Sequence, residues 1–368
     1  MAVAINTYNP DYAVPPGWLL EEHLEVSEIS HAEFARRCGR SAKMISEIIA
    51  GKAPVEPETA LQFEKVLGVA ARIWLGIETD YQLHMARRAE AEEAARQKGW
   101  LRAFPLKELV SRGCFEKPES AADAVGKVLS FFKVGTVDAW LAKYASANVA
   151  YRHSPAFKSS DACLATWLRM GEMAADQQQC ADYNEAEFKS AVHEVRGLTR
   201  EPVAAALTRT RQLCNDAGVV LALVKPLPMT ALSGAAWWHS PRKAVVQLSA
   251  RHKTDDHLWF SFFHEAAHII LHSKKDVFVD TTNGDGEELE KQANEWASNA
   301  LVPRAAWQHF VATLPRSEAS VRAFADDQGI APGIVVGMLQ HERAVHWSHL
   351  NNLKVRLQWV DVPSRMIT

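Results

Sequence analysis

The chain has 368 residues, enough for two or three domains, and its 48% hydrophobic and 23% charged residues with a net charge of −3 are ordinary for a globular protein. Its N-terminus lacks the basic stretch and apolar run of a secretory signal, and no apolar run is long enough to span a bilayer. Five scattered cysteines without metal-ligand spacing exclude a disulfide framework. The sequence therefore predicts a cytoplasmic protein without a membrane partner.

Residues 15–76 predict short helices separated by turns. Ser30 and Ser41 each stand at the start of an apolar-periodic segment, where a hydroxyl can cap the first turn of a helix, and Ser30 has the capping-box spacing to a glutamate. Gly39 and Gly51 follow the two segments and are suited to end them. Two short helices joined by a turn that contains glycine are typical of a helix-turn-helix.

This segment resembles Xre-type helix-turn-helix proteins, and most of all the HigA antitoxins. The resemblance is carried by Pro16–Glu22, Ala32–Arg37, Ser41–Lys52, Pro57–Leu61 and Trp74-Leu75. It implies that residues 41–47 enter the major groove of double-stranded operator DNA. A homodimer is expected, because a single small module makes few phosphate contacts.

Two sets of side chains are the candidates for DNA contact. The residues that could face bases are Ser41, Ala42, Lys43 and Glu47. The residues suited to phosphates are Arg36, Arg37, Arg40 and Lys52. Residues 1–100 nevertheless hold 11 Lys and Arg against 15 Asp and Glu, a net charge of −4, whereas a DNA-binding domain is usually basic. The alternative is a module for protein contacts or dimerisation only.

The middle of the chain predicts helices and then strands. Residues 87–98 form a charged, alanine-rich connector, and residues 100–216 show amphipathic helical patterns without a chemical motif. Residues 218–224 predict a buried strand, and residues 232–238 and 244–248 predict a hairpin. A strand of this kind could hold an extended peptide or could serve only as a scaffold.

The segment His264-Glu265-Ala-Ala-His268 predicts a metal site from its spacing alone. Helix positions four apart lie on one face, so the two imidazoles can bind one divalent ion. Glu265 projects about 100° away and could act as general base, taking a proton from water and passing it to a leaving amine. This is the H-E-x-x-H arrangement of zinc peptidases. The alternative is a core helix with two hydrogen-bonded histidines.

A catalytic zinc site needs a third protein ligand and keeps one position for water. Residues 289–301 predict a second helix, which ends before Pro303. Four carboxylates on or near this helix qualify as the ligand: Glu287, Glu288, Glu290 and Glu295. Spacing does not choose among them, although the first two also suit the positive end of the helix dipole.

Residues 221–359 resemble the ImmA/IrrE metallopeptidases, through the segments Phe262–His272 and Glu290–Pro303. The resemblance implies one zinc ion per chain, with ligands His264, His268 and Glu290. His272 also belongs to the segment that resembles this family. Because it lies one helical turn beyond His268, too far to share the ion comfortably, we expect it to support the ligands or pack beside them.

These patterns predict an α+β fold that is mostly helical. Its expected parts are a helix-turn-helix bundle at 1–85, a connector helix and helical spacer at 86–216, a gluzincin-like metallopeptidase core with a small sheet at 217–303, and a C-terminal helical subdomain at 304–368. Residues 321–341 repeat a helix-turn-helix pattern, but their apolar helices indicate packing on the peptidase. Residues 354–360 alternate like a strand, and a helix is the alternative.

The two halves together predict a DNA-binding regulator with a built-in zinc metallopeptidase. We expect limited proteolysis of a helix-turn-helix repressor, the chain itself or a partner, in stress, toxin–antitoxin or phage-defence control. The alternative is a transcriptional repressor or antitoxin whose metal domain senses a signal without cutting. A third possibility is an interaction module that binds a toxin protein.

Overall fold

A computed structural model describes residues 12–151, 161–228, 230, 232–272, 278–279, 287–312 and 317–359. The chain divides into two compact units, Met1–Lys98 with Ser120–Val125 and Gly99–Glu119 with Gly126–Thr368. The fold is α+β and mostly helical, as predicted. Within the described ranges, no helix is long and apolar enough to cross a membrane.

Five helices make up most of the first unit: α1 (Pro16–Val26), α2 (His31–Cys38), α3 (Ala42–Ile49), α4 (Pro57–Leu67) and α5 (Ala71–Arg96). The Ser30 hydroxyl caps α2 by accepting the Glu33 N–H at 3.3 Å, and Ser41 caps α3 in the same way at 3.1 Å. The predicted capping box is only half formed, because the Glu33 carboxylate pairs with Arg36 and Arg37 instead.

One hydrophobic core holds these five helices together. Its largest fully buried side chains are Leu20, Leu24, Phe34, Ile45, Phe63 and Trp74. Helix α1 approaches α3 so closely that a Cβ on Gly17 would overlap the backbone of Ile48 and Ile49. The core therefore fixes α3 against two neighbouring helices and leaves its other face exposed.

The second unit begins with helices that follow the connector. After a 3-10 helix (Gln97–Ala103) come α6 (Leu106–Ser111), α7 (Ala121–Phe132), α8 (Val137–Tyr151) and α9 (Asp161–Gln177). The residues of α7 up to Val125 are grouped with the first unit. Phe104, Phe132 and Trp140 pack edge to face with ring centroids 5.2–5.7 Å apart. These helices carry the apolar periodicity that the sequence predicts for a helical spacer.

A four-stranded sheet lies at the centre of the second unit. Its strands are β1 (Val219–Leu223), β2 (Gly234–Ser240), β3 (Lys243–Leu248) and β4 (Phe278–Val279), in the order β1-β3-β2-β4. Strands β2 and β3 form the predicted antiparallel hairpin, whereas β1 runs parallel to β3. Alternate residues of β1 face opposite layers: Leu221 packs in the cluster that includes Trp259, and Val220 in the cluster that includes Trp167.

The remaining helices pack around this sheet in one shared core. They are α10 (Glu185–Leu198), α11 (Val203–Asp216), α12 (Asp255–Leu271), α13 (Glu287–Leu301), α14 (Arg304–Ala312), α15 (Glu318–Gln328) and α16 (Pro332–His341). A single hydrophobic cluster contains Phe188 of α10, Trp259 of α12 and Val335 of α16. The sequence boundaries expected at residues 216 and 303 therefore fall inside one compact unit.

The C-terminal segment differs from its predicted form. A 3-10 helix (Asn351–Leu353) is followed by irregular chain, and the expected strand or helix at residues 354–360 is wrong over the described part, residues 354–359. A single antiparallel bridge joins Arg356 to Thr254, and the buried Lys354 ammonium bonds the Asp256 carboxylate at 2.6 Å. This segment therefore pairs with the start of α12. The pairing occupies hydrogen-bonding groups that a neighbouring strand would otherwise use.

Candidate metal centre and nucleic-acid surface

Helix α12 carries three predicted site residues into the interior of the second unit. It packs on β2 and β3 through one face and on α13 and α16 through others. His264, Glu265 and His268 are 4%, 1% and 1% exposed. Burial on a packed helix restricts the rotamers of these side chains, as a site that must hold its ligands in place requires.

The two histidines converge with Glu290 of α13. The Nε2 atoms of His264 and His268 are 3.1 Å apart, and they lie 3.1 Å and 3.5 Å from the two carboxylate oxygens of Glu290. Within the described part of the chain, this is the one group of at least three His, Cys, Asp or Glu side chains whose ligand atoms lie within 4.8 Å of one another. Two imidazoles and a carboxylate are donors suited to zinc.

The electrostatic environment favours the protonation states that a metal needs. Burial raises the pKa of Glu290, but the hydrogen bonds and charges of the two histidines outweigh burial and lower the pKa to about 2. Burial is the main cause that lowers the pKa of His268, against the opposing effect of Glu290. At neutral pH the site therefore offers a carboxylate and a neutral imidazole, the forms that bind a cation.

Two further side chains orient the histidine rings. Asn294 Oδ1 lies 3.0 Å from His264 Nδ1, and His272 Nδ1 lies 2.9 Å from His268 Nδ1. Because these contacts are made by the Nδ1 atoms of His264 and His268, the Nε2 atoms of the two rings point toward Glu290. Such contacts fix the tautomer and the ring plane of a histidine ligand.

Glu265 sits against the start of strand β2. A Cβ on Gly234 would come within 2.7 Å of Glu265 Cγ and still closer to Oε1, so only glycine leaves room for this carboxylate. The backbone of β2 thus forms a wall that limits where the Glu265 side chain can lie.

A cavity of about 340 Å³ adjoins the site. Its lining includes His264 and Asn294 on one side and residues of α16 on another. Cavities of this size are within the range that accommodates small ligands or parts of larger ones.

The predicted base-facing residues lie at the start of α3. Ser41, Ala42 and Lys43 are exposed, and Glu47 is half-buried beside Lys43, with 3.7 Å between Nζ and the carboxylate. The Ser41 hydroxyl also caps the helix, so any DNA contact from it must share that role. Ser46 is exposed on the same helix.

The predicted phosphate-binding cations differ in their exposure and in the partners of their side chains. Arg36, Arg37 and Lys52 are exposed, and the first two pair with Glu33. Arg40 is half-buried and donates to Gln62 at 2.6 Å, which ties the turn between α2 and α3 to α4. Arg40 therefore has a structural role that its sequence position did not indicate.

Asn294 and Gly234 were also not predicted from the sequence. Asn294 lies four residues after Glu290, so it shares the helix face of that candidate ligand, and the spacing was available as a signal. Gly234 had no such signal in the sequence, because its role is to leave room for the Glu265 carboxylate, which is 31 positions further along the chain.

Comparison with known proteins finds similarity in two parts of the chain. The family of the IrrE N-terminal-like domain, within peptidase family M78, matches residues 214–329. The N-terminal region is 32% identical over 78 residues to the uncharacterized HTH-type transcriptional regulator YddM of Escherichia coli K12. That match covers 21% of this chain and 78% of YddM.

Two solved structures are also similar to the N-terminal region. A candidate antidote protein of a plasmid maintenance system from Nostoc punctiforme is 30% identical, with 22% of this chain and 89% of that chain covered and a TM-score of 0.22. An addiction module antidote protein of the HigA family from Coxiella burnetii is 23% identical, with 23% and 91% covered and a TM-score of 0.21.

Proposed function

Because the chain belongs to the HTH-type transcriptional regulators and carries an IrrE-like M78 peptidase domain, we propose that it is a regulator with a built-in zinc-dependent metallo-endopeptidase. The observation that carries this proposal is the convergence of His264, His268 and Glu290 next to the buried Glu265. The substrate we propose is a helix-turn-helix repressor, either a copy of this chain or a partner, in stress, toxin–antitoxin or phage-defence control.

The residues of the site divide the chemistry between them. His264, His268 and Glu290 would hold one zinc ion per chain. When bound, zinc supplies a Lewis acid for the scissile carbonyl and lowers the pKa of water. Glu265 would take the proton of the attacking water and deliver it to the leaving amine, while Gly234 leaves the space that its carboxylate occupies.

Cleavage of purified repressors tests the peptidase half of the proposal. The zinc-loaded protein and a chelator-treated sample are each incubated with the full-length chain, with candidate helix-turn-helix repressors and with a random peptide library. We expect new fragments by intact-mass spectrometry in the zinc-loaded samples alone. If zinc-loaded protein cuts neither the proteins nor the library, the proposed activity is wrong.

For the DNA-binding half we propose a homodimer on operator DNA. The variant Lys43→Ala with Lys52→Ala removes two exposed cations, of which Lys43 pairs with Glu47 at the surface. We expect operator affinity to fall by about tenfold or more through the loss of both contacts, and the slope of log affinity against log salt to decrease by about 1 through the loss of the Lys52–phosphate pair. Fluorescence anisotropy over a salt series measures both quantities. Lys65→Ala, at another exposed lysine, is the control, and equal binding by both variants would contradict the assignment.

Gly234→Ala tests whether β2 positions Glu265. The added Cβ displaces the carboxylate, and a misplacement of about 1 Å can cost about 100-fold in rate. We expect the cleavage rate to fall by about that factor while zinc content stays at the wild-type value. Gly197→Ala is a suitable control, because a Cβ there meets no atom within 4 Å. An unchanged rate in Gly234→Ala would show that the wall does not control Glu265.

A further inference from the structure

We infer that the cavity beside the metal centre binds a bulky apolar side chain of the substrate, from a residue flanking the cleaved bond. This inference rests on the proposed peptidase function and names the substrate class of the same site. The cavity, of about 340 Å³, is bounded by α12, α13, α16 and the start of β2.

The position of the cavity places an occupant next to the reacting groups. His264, a candidate metal ligand, and Asn294, which contacts its Nδ1 atom, form part of one wall. Ser233 lines the cavity too, and it immediately precedes Gly234, on which Glu265 packs. A side chain in the cavity would therefore belong to a residue whose backbone passes close to His264 and to Gly234.

The walls are suited to an apolar occupant. Phe260, Ile334, Met338 and Trp347 all line the cavity, and they come from three separate segments of the chain. Trp347 is 54% exposed although it is large and apolar. Covering such surfaces with an aromatic or long aliphatic side chain removes apolar area from water, which favours binding.

The buried carboxylate at the cavity is already paired with a cation. The Asp256 carboxylate is buried and bonded by Lys354 at 2.6 Å, and Glu342 accepts the Trp307 indole N–H at 2.7 Å. Burial lowers the pKa of His257, whose ring stacks on His252 with centroids 4.1 Å apart. The buried carboxylate therefore has no free charge to offer a cationic side chain, and the apolar walls favour an apolar one.

A buried polar network holds part of the wall in place. The Gln340 amide donates to the carbonyl oxygens of Trp347 and His349 at 3.2 and 2.9 Å, and Lys354 donates to its oxygen at 2.7 Å. The backbone of the segment that carries Trp347 is thereby tied to α16 and to the start of α12. Because this wall is already ordered, binding of a substrate side chain does not carry the entropy cost of first ordering a loop.

Binding of small hydroxamates to the zinc-loaded full-length protein tests the inference without requiring cleavage. The hydroxamate group is the zinc-binding end, and the probes carry either a benzyl or a methyl group beside it. We expect the benzyl probe to bind at least about tenfold more tightly, as hydrophobic pockets discriminate between side chains that differ in apolar size. Isothermal titration calorimetry measures both affinities.

Met338 offers the variant that separates the pocket from the metal. It is half-buried on α16, so Met338→Trp fills the cavity from one side without removing a ligand. We expect this variant to keep its zinc and the affinity for the methyl probe, and to lose the preference for benzyl. Met85→Trp, the same substitution at an exposed methionine of α5, is the control and should keep the preference.

The outcomes distinguish this inference from the proposed function. Equal affinities for the two probes, or an undiminished benzyl preference in Met338→Trp, would overturn the pocket whether or not the protein cuts repressors. A benzyl preference that Met338→Trp abolishes supports the pocket even when every cleavage assay fails, in which case the peptidase proposal alone is wrong. If the protein does cut peptides, the cleavage sites in a peptide library should be enriched in bulky apolar residues on one side of the bond.

Discussion

Glu265→Gln is expected to bind zinc as the wild type does and to cut its substrate about 10²–10⁴-fold more slowly, the usual contribution of a general acid–base group. The amide keeps the shape of the side chain against Gly234 but cannot accept a proton from water at neutral pH. Its carbon skeleton is unchanged, so the packing of α12 on β2 is preserved. Metal analysis and the initial rate of fragment formation are the two measurements.

The same substitution should not weaken the fold. Glu265 is 1% exposed, and burying a charge is costly, so a neutral amide of equal size is expected to leave the thermal midpoint unchanged or higher. Glu295→Gln, at an exposed carboxylate of α13, is the matched control and should keep full activity. If Glu265→Gln cuts at the wild-type rate with its metal bound, Glu265 is not the base.

His268→Ala is expected to lower zinc affinity by more than about 100-fold, whereas His272→Ala should lower it by about 10–100-fold, the range for residues that support a ligand. The difference follows from the geometry. His268 directs Nε2 at Glu290, while His272 contacts His268 on the opposite ring nitrogen. Competition with a chromophoric chelator measures both affinities, and wild type should bind about one ion per chain.

The two variants should also differ in how they bind the benzyl and methyl hydroxamate probes. His268→Ala should bind neither hydroxamate at zinc concentrations that saturate the wild type, because the zinc-binding group no longer has its anchor. His272→Ala should keep the benzyl preference once enough zinc is supplied. Equal reductions of zinc affinity in both variants would contradict the division into a ligand and a supporting residue.

Local signals in the sequence were sufficient for most elements. Ser30 and Ser41 cap α2 and α3 as their positions predict, because a cap depends on residues within one helical turn. The hairpin of β2 and β3 also follows its predicted pattern. The segment after Leu353 did not follow its alternation, since its partners, Thr254 and Asp256, are about 100 positions away.

The third ligand shows where local signals stop. Spacing left Glu287, Glu288, Glu290 and Glu295 open, and a family resemblance was needed to favour Glu290. In the fold Glu288 and Glu295 are exposed, whereas the Glu290 side chain is 17% exposed and faces both histidines. The side chain of Glu287 lies outside the described residues. The choice depends on which face of α13 packs against α12, and a periodic pattern constrains that face without identifying its partner.

The sequence by itself determined the paired histidines with their glutamate, because a four-residue helical spacing is a local property of the chain. It also determined the two helices at the helix-turn-helix end, through caps and glycine stops. Only the tertiary structure decided that Glu290 and Asn294 meet His264, that Gly234 makes room for Glu265, and that α16 closes a cavity beside them. The physical reason is that these contacts join segments 26 or more residues apart, whose approach is set by the packing of a shared core.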